Sequence, residues 1–257
     1  MGTIKKILYL LLSQNTYFRL LHRGFYVLFD LGILRNDPKF KYHYMVKKVI
    51  EPSFTVIDIG ANLGYFSRNF ARLTKKGKLI SVEPVPQFYS VLSYFMKKYP
   101  NTVVYNVALG NEAGSVTMVM PETNGMVRTG LPHISKSEED LANFKTQEVK
   151  IIKGTELFKD CEKIDYIKCD IEGYELTVFE EIKPVLEKHQ PYVQLEISTE
   201  NTSKLLALMH GLQYTQFGIS NFEFVREMGA QKEEGDYFFV PESKLASFCK
   251  KFNITSN

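Results

Sequence analysis

Cysteine is scarce: Cys161, Cys169 and Cys249 are the only three in 257 residues. None belongs to a Cys-x-x-Cys pair or lies at ligand spacing from a histidine, so neither a disulfide framework nor a zinc site is expected. A reducing, cytoplasmic compartment fits. The formal charge is only +3, with lysine and arginine scattered among aspartate and glutamate. Without a basic stripe, no nucleic-acid partner is expected. No apolar run approaches the roughly 20 residues of a membrane span. The N-terminal "KKILYLLL" starts like a secretory signal but stops at Ser13 and Gln14 with no small-residue cleavage site, so no span and no removed leader are expected. A G-x-S-x-G elbow and an H-E-x-x-H motif are also missing, which removes the commonest serine-hydrolase and zinc-protease chemistries. Repeats, low-complexity tracts and interdomain linkers are absent as well. What is present, 44% hydrophobic and 24% charged residues, suffices for one sizeable core.

Residues 1–50 are expected to form an N-terminal helical extension. Leu8, Leu11, Leu12, Phe18, Leu21, Phe25, Leu28 and Phe29 recur at helical spacing with basic residues between them. Such a segment either caps the main domain or, as a basic amphipathic helix over residues 4–34, makes peripheral contact with a membrane that presents a lipid-linked substrate. From residue 51 to 257 short strands and helices alternate, the pattern of one Rossmann-like domain with a mostly parallel sheet covered on both faces. Strands are expected at Phe54–Gly60, Gly77–Pro84, Thr102–Leu109, Ile164–Ile171 and Tyr192–Ser198, helices at Tyr65–Leu73, Gln87–Lys98, Tyr174–His189 and Ser203–Leu212. "LQYTQFGI" and "GDYFFVPE" read as a closing strand pair. Gly110–Gln147 breaks the rhythm: "GSVTMVM" reads as an extra strand and Glu122–Gln147 as a lid or substrate loop.

In "VIDIGANLGYFS" (Val56–Ser67) a strand breaks at Gly60, Asn62 and Gly64 and gives way to a helix. Such a turn lets backbone amides approach a ligand closely. The spelling is neither the dinucleotide G-x-G-x-x-G nor a Walker A loop, and a purely structural turn reads the same way. Glu83 narrows the choice. It ends the next strand, nineteen residues beyond Gly64, where a carboxylate accepts both hydroxyls of a ribose held over the turn.

"VIDIGANLGYFS", "ISVEPVP", "NVALGNEAGSV", "IKCDIEGYE" and "VQLEIS", in this order, resemble the FkbM-type methyltransferase family across roughly Thr55–Ser198, and "DYFFVP" is also similar. The resemblance implies a class I methyltransferase α/β fold. Such a fold has a seven-stranded, mostly parallel sheet with an antiparallel last strand and helices on both faces. It also implies S-adenosylmethionine as cofactor and O-methylation of a small-molecule or saccharide acceptor. It places the cofactor's methionine part at Asp58, Gly60, Asn62 and Gly64, its ribose at Glu83 and its adenine near Ala108 and Leu109, with Asn106 and Asn111 as candidates for the adenine amine.

Lys168, Asp170 and Glu172 interrupt an otherwise apolar strand at alternate positions, so Lys168 and Asp170 share a face at the carboxyl end that borders a ligand crevice. Asp170 and Glu172 are the expected working pair, Asp170 orienting cofactor or acceptor and Glu172 taking the hydroxyl proton. Lys168 tunes them, or is itself the base if desolvated. No resident metal is expected, although Asp170 and Glu196 at neighbouring strand ends could hold a divalent ion such as magnesium if a third oxygen ligand were supplied. A plain Lys168–Asp170 ion pair, with Glu172 and Glu175 opening a helix, is the structural alternative. Tyr94 and Lys98, like Tyr44 and Lys48, have a reductase spacing in the wrong places. His133 is more simply a solvated loop histidine. Two other classes compete: a nicotinamide-dependent oxidoreductase, and a non-catalytic binding module on a methyltransferase fold.

Overall fold

The computed structural model describes Tyr9 and residues 11–123, 126–135, 142–197, 199–227 and 235–255. Residues 4–8 and 10 of the expected N-terminal helix, residues 124–125 and 136–141 of the expected lid, and Ser198 lie outside them. The strands along the chain are β1 (Thr55–Ile59), β2 (Lys78–Val82), β3 (Thr102–Tyr105), β4 (Ala108–Leu109), β5 (Gly114–Met120), β6 (Glu122–Thr123), β7 (Met126–Val127), β8 (His133–Ile134), β9 (Lys145–Ile152), β10 (Tyr166–Cys169), β11 (Tyr192–Ile197), β12 (Tyr214–Ser220), β13 (Glu223–Arg226) and β14 (Gly235–Pro241).

The main sheet has the order β13-β12-β14-β11-β10-β1-β2-β3. From β3 to β11 the strands are parallel, while β14 runs antiparallel between β11 and β12. The sheet therefore has eight strands where seven were expected. The eighth is β13, which doubles back on β12 in a hairpin turned at Asn221 and Phe222, both in the left-handed region.

Strands buried on both faces need apolar side chains at consecutive positions. β1 has all five residues buried. Val56 joins the core beneath the N-terminal helices, and Ile57 and Ile59 join the opposite one. The first core takes Phe18 of the helix Gln14–Asp30 and Met45, Val46 and Val49 of the helix Lys41–Val49. These N-terminal helices thus share a core with the sheet. His22 and His43 are buried there against rings, each 3.7 Å between centroids, on Phe95 and Phe66 respectively. Burial, together with nearby Arg68 for His22 and Lys168 for His43, lowers both to a pKa of about 3, so both are neutral packing groups.

Two expected elements are divided. The helix expected over Tyr174–His189 breaks at Ile182, because Pro184 lies in the first turn of the second piece and cannot donate to the ladder. The strand expected over Thr102–Leu109 ends at Tyr105. Asn106 Nδ2 donates to the carbonyls of Glu83 and Pro84, 2.9 Å each, and the next pair, β4, turns into a second sheet of order β4-β9-β5-β8. "EVKII" lies in β9 of this second sheet, beside "GSVTMVM" in β5. No helix among the described residues is long and apolar enough to cross a membrane.

Candidate active site

Above the carboxyl ends of β1, β2 and β10 the chain turns three times, and the turns enclose a cleft. Gly60 ends β1 with φ +74°, and a Cβ there would lie 1.9 Å from the Asp170 carbonyl oxygen. Only glycine permits that approach. Asn62, at φ 52°, donates its backbone N–H to Glu83 Oε2 at 2.7 Å, and Val85 N–H donates to Glu83 Oε1 at 2.9 Å. Glu83 therefore ties the β1 turn to the β2 turn. Burial raises its carboxyl to about 7, the two amides opposing the rise. Gly64 also has a positive φ and lies close to Leu92 and His22, in the packing behind the turn.

Strand register explains the charges. Asp58 pairs with Lys168 across β1 and β10, with Ser81 on the β2 side, and Lys168 pairs in turn with Gln194 of β11. Because alternate residues share a face, these four form a buried polar row across the sheet. Asp58 accepts from Ser67 Oγ at 2.5 Å, and its Oδ1 has no hydrogen-bond donor but lies 4.0 Å from Lys168 Nζ. Lys168 Nζ donates to Asp170 Oδ2 at 2.9 Å. Burial pushes the Lys168 ammonium down, but Asp170 and Asp58 outweigh it and hold it above its ordinary value. A lysine so held stays charged, which opposes its use as a base.

One pleat further, Asp170 meets Glu196, which lies opposite Asp236 in the β11–β14 pair. Burial acts to raise Asp170, yet Lys168 and the Glu196 hydrogen bond hold it below the usual range. Glu196 goes the other way through desolvation of its carboxyl and the neighbouring Asp170 charge, although much of the residue faces solvent. Asp236 is braced through Gln194 to the Tyr166 hydroxyl, and Tyr42 OH donates to its carbonyl at 2.8 Å.

Glu172 follows with φ 56°, a conformation costly for a residue with a side chain. Glu175 holds that turn, its Oε1 accepting from Ile171 N–H and Gly173 N–H at 3.0 Å each. Burial, then Asp170 and Glu175, raise the Glu172 carboxyl to about 7.

The cleft takes in about 630 Å³ when its open mouth is counted. Of the expected site residues, Gly60, Asn62, Glu83, Ala108, Leu109, Asp170 and Glu172 line it. Asp58 and Lys168 lie beneath it, Gly64 lies behind the turn, and Glu196 stands beside Asp170 outside the lining. Val85, Phe88 and Val107 form an apolar slot next to Ala108, while Met118, Gly130, Pro132 and Ile134 of the second-sheet region supply the facing wall. Asn106 is spent on backbone carbonyls, and Asn111 is exposed. His133, in β8, has Nδ1 3.0 Å from the Leu131 carbonyl. Among the described residues, no three His, Cys, Asp or Glu side chains are arranged to hold a metal ion.

Sequence reasoning missed Asp236, for which a strand-end acid in "GDYFFVP" was the available signal. Gly130, Pro132 and Ile134 fall within Glu122–Gln147, the segment expected as a lid or substrate loop, which the sequence marks as a stretch and not residue by residue.

The family model described as the methyltransferase FkbM domain matches residues 58–228. Similar solved structures include an FkbM methyltransferase from Methylobacillus flagellatus KT, 15% identical with a TM-score of 0.49, the match covering 74% of this chain and 44% of that one. A precorrin-6y C5,15-methyltransferase from Geobacter metallireducens GS-15 is 12% identical, TM-score 0.44, over 80% of this chain and 87% of its own. An SAM-dependent O-methyltransferase from Thermotoga maritima is 10% identical, TM-score 0.44, over 82% and 69%. The chain thus spans less than half the length of the first of these structures. No curated protein matches. The α/β sheet, parallel from β3 to β11 with β14 inserted antiparallel between β11 and β12, is the class I methyltransferase arrangement, and the chain belongs to the FkbM methyltransferase family.

Proposed function

We propose that the protein is an S-adenosylmethionine-dependent O-methyltransferase acting on a hydroxyl of a sugar, glycoconjugate or other natural product. The observation that carries this reading is one cleft with Glu83 at one end and Asp170 and Glu172 at the other. The residues fit the cofactor. Each Glu83 oxygen accepts one backbone amide and keeps a lone pair for a ribose hydroxyl. The slot of Val85, Phe88, Ala108 and Leu109 suits a flat adenine ring. Gly60 and Asn62 bring backbone close to the methionine part. S-adenosylmethionine supplies an electrophilic methyl group on a sulfonium.

This chain's residues do the rest. Asp170, kept ionised by Lys168, presents fixed negative charge at the cleft. Glu172, aimed into the cleft by its left-handed backbone, accepts the acceptor hydroxyl proton. The apolar wall of Met118, Pro132 and Ile134 excludes water. The free cysteines among the described residues accord with a reducing, cytoplasmic setting.

Glu172→Gln should lower kcat by about 10²–10³-fold, the usual contribution of a positioned base, with cofactor Kd unchanged. Wild-type kcat should rise with pH through about 7 as Glu172 loses its proton, and the variant should lack that limb. Methyl transfer to an acceptor found by labelling an extract with radioactive methyl donor measures both. A variant with full kcat and an unchanged profile would remove Glu172 from the mechanism.

A further inference from the structure

The inward face of the helix Gln14–Asp30 is spent on the core, with Phe18, His22, Tyr26 and Phe29 all buried. Its outward face is apolar too. Leu20 is 44% exposed, Val27 58%, Leu28 40% and Leu31, just past the helix end, 69%. At 100° per residue these four lie on one stripe, and Gly24 within it has open space beside its Cβ position. Ile33, in the 3-10 turn that follows, is 62% exposed as well. Single exposed leucines are ordinary; a continuous stripe along one helix marks a contact surface.

Beside the stripe lies a shallow basin lined by Arg23, Arg68, Lys97 and Lys98 with Tyr94 and Phe95. No carboxylate lines it, and among the described residues none of these four cations is ion-paired. Residues 1–36 contain Lys5, Lys6, Arg19, Arg23 and Arg35 against one acid, Asp30, which is tied to Arg72 at 2.8 Å.

We propose that this outer face and the adjoining basin dock the protein on an anionic phospholipid surface. The stripe enters the boundary between headgroups and acyl chains, and the basin takes lipid phosphate. Charge selects this occupant. Packing two copies through the same stripe would bring the Arg23 side of each toward the other, and no carboxylate lines the basin to offset them. An anionic bilayer offers both the apolar layer and the opposite charge. Phe18, on the inner face of the same helix, packs on Phe88, which lines the cleft, with ring centroids 5.4 Å apart. A docked protein therefore holds its cleft close to the lipid surface.

Co-sedimentation of the full chain with vesicles of phosphatidylcholine, alone or mixed with phosphatidylglycerol, tests this without reference to methyl transfer. Binding to the mixed vesicles should exceed binding to the neutral ones by about tenfold or more and weaken as salt rises. The double variants Val27→Asp/Leu31→Asp and Arg23→Glu/Lys98→Glu should each lose about tenfold or more in vesicle affinity while melting at the wild-type temperature, since all four side chains lie outside the core. No preference for anionic vesicles, or variants that bind as wild type does, would overturn the proposal. A wild-type dimer in sedimentation velocity that Val27→Asp dissociates, without vesicle binding, would overturn it in favour of a second copy.

Discussion

Gly60→Ala is expected to destabilise the protein by roughly 3 kcal/mol and to abolish cofactor binding in whatever fraction remains folded. Two effects add. The backbone is left-handed at φ +74°, where a Cβ costs about 1–2 kcal/mol. The new carbon would also lie 1.9 Å from the Asp170 carbonyl oxygen and 2.9 Å from its carbon. Those are backbone atoms of the next turn, so relief requires the β1 and β10 ends to part, at a further 1–3 kcal/mol or so. Parting them moves Asn62 and Glu83 relative to Asp170, which spoils the cleft. Gly211→Ala is the control: nothing lies within 4 Å of its Cβ position at the end of a helix. That change should be neutral or stabilising by up to about 1 kcal/mol. Urea unfolding of the two variants measures both, and equal effects would contradict the close approach.

Lys168→Met should destabilise by about 3–5 kcal/mol, the usual cost of removing one partner from a buried ion pair. Lys168 is 3% exposed and is the cation for both Asp58, fully buried, and Asp170. Without it Asp58 is left with no cation in the buried polar row, and Asp170 loses its partner at the edge of the cleft. Much of the cost is thus uncompensated charge, and adding Asp58→Asn should recover part of it. The sign with pH follows from Asp58, whose carboxyl burial already raises in the wild type. Losing the cation raises it further. The folded variant then binds a proton at a pH where the unfolded chain does not, so the deficit should shrink as pH falls from alkaline to mildly acidic. Denaturant midpoints of wild type, single and double variants across that range measure this. A single variant as stable as wild type would mean that the row is not ion-paired.

The parts of the fold that depend on local pattern were legible in the sequence. "FTVIDIG" and "GKLISVEP" announce buried strands through their apolar runs, and Glu83 falls in register with the glycine turn because both end neighbouring parallel strands. The alternation of Lys168 and Asp170 correctly implied one shared face. What stayed hidden depends on pairing between distant segments. Lys168 reads as a candidate base until β1 and β10 come into register and set Asp58 beside it. β13 is a four-residue edge strand after a two-residue turn, too short to stand out. β9 looks like any other strand, and only its pairing with β5 places it in the second sheet, whose Met118 in β5 and Ile134 in β8 line the cleft. The Ile182 break was readable from Pro184, since a proline in mid-helix removes a donor.

The central claim is that the cleft between the Gly60 turn, Glu83 and Glu172 holds S-adenosylmethionine. Isothermal titration of the purified chain with S-adenosylhomocysteine tests it most directly, alongside Glu83→Gln, which keeps the shape but removes the charged acceptor. The wild type should bind saturably, one to one. Glu83→Gln should bind about tenfold to a hundredfold more weakly, as expected when hydrogen bonds to a charged group worth about 1.5–3 kcal/mol are lost. No heat of binding from folded wild-type protein, or the same affinity in both proteins, would contradict it.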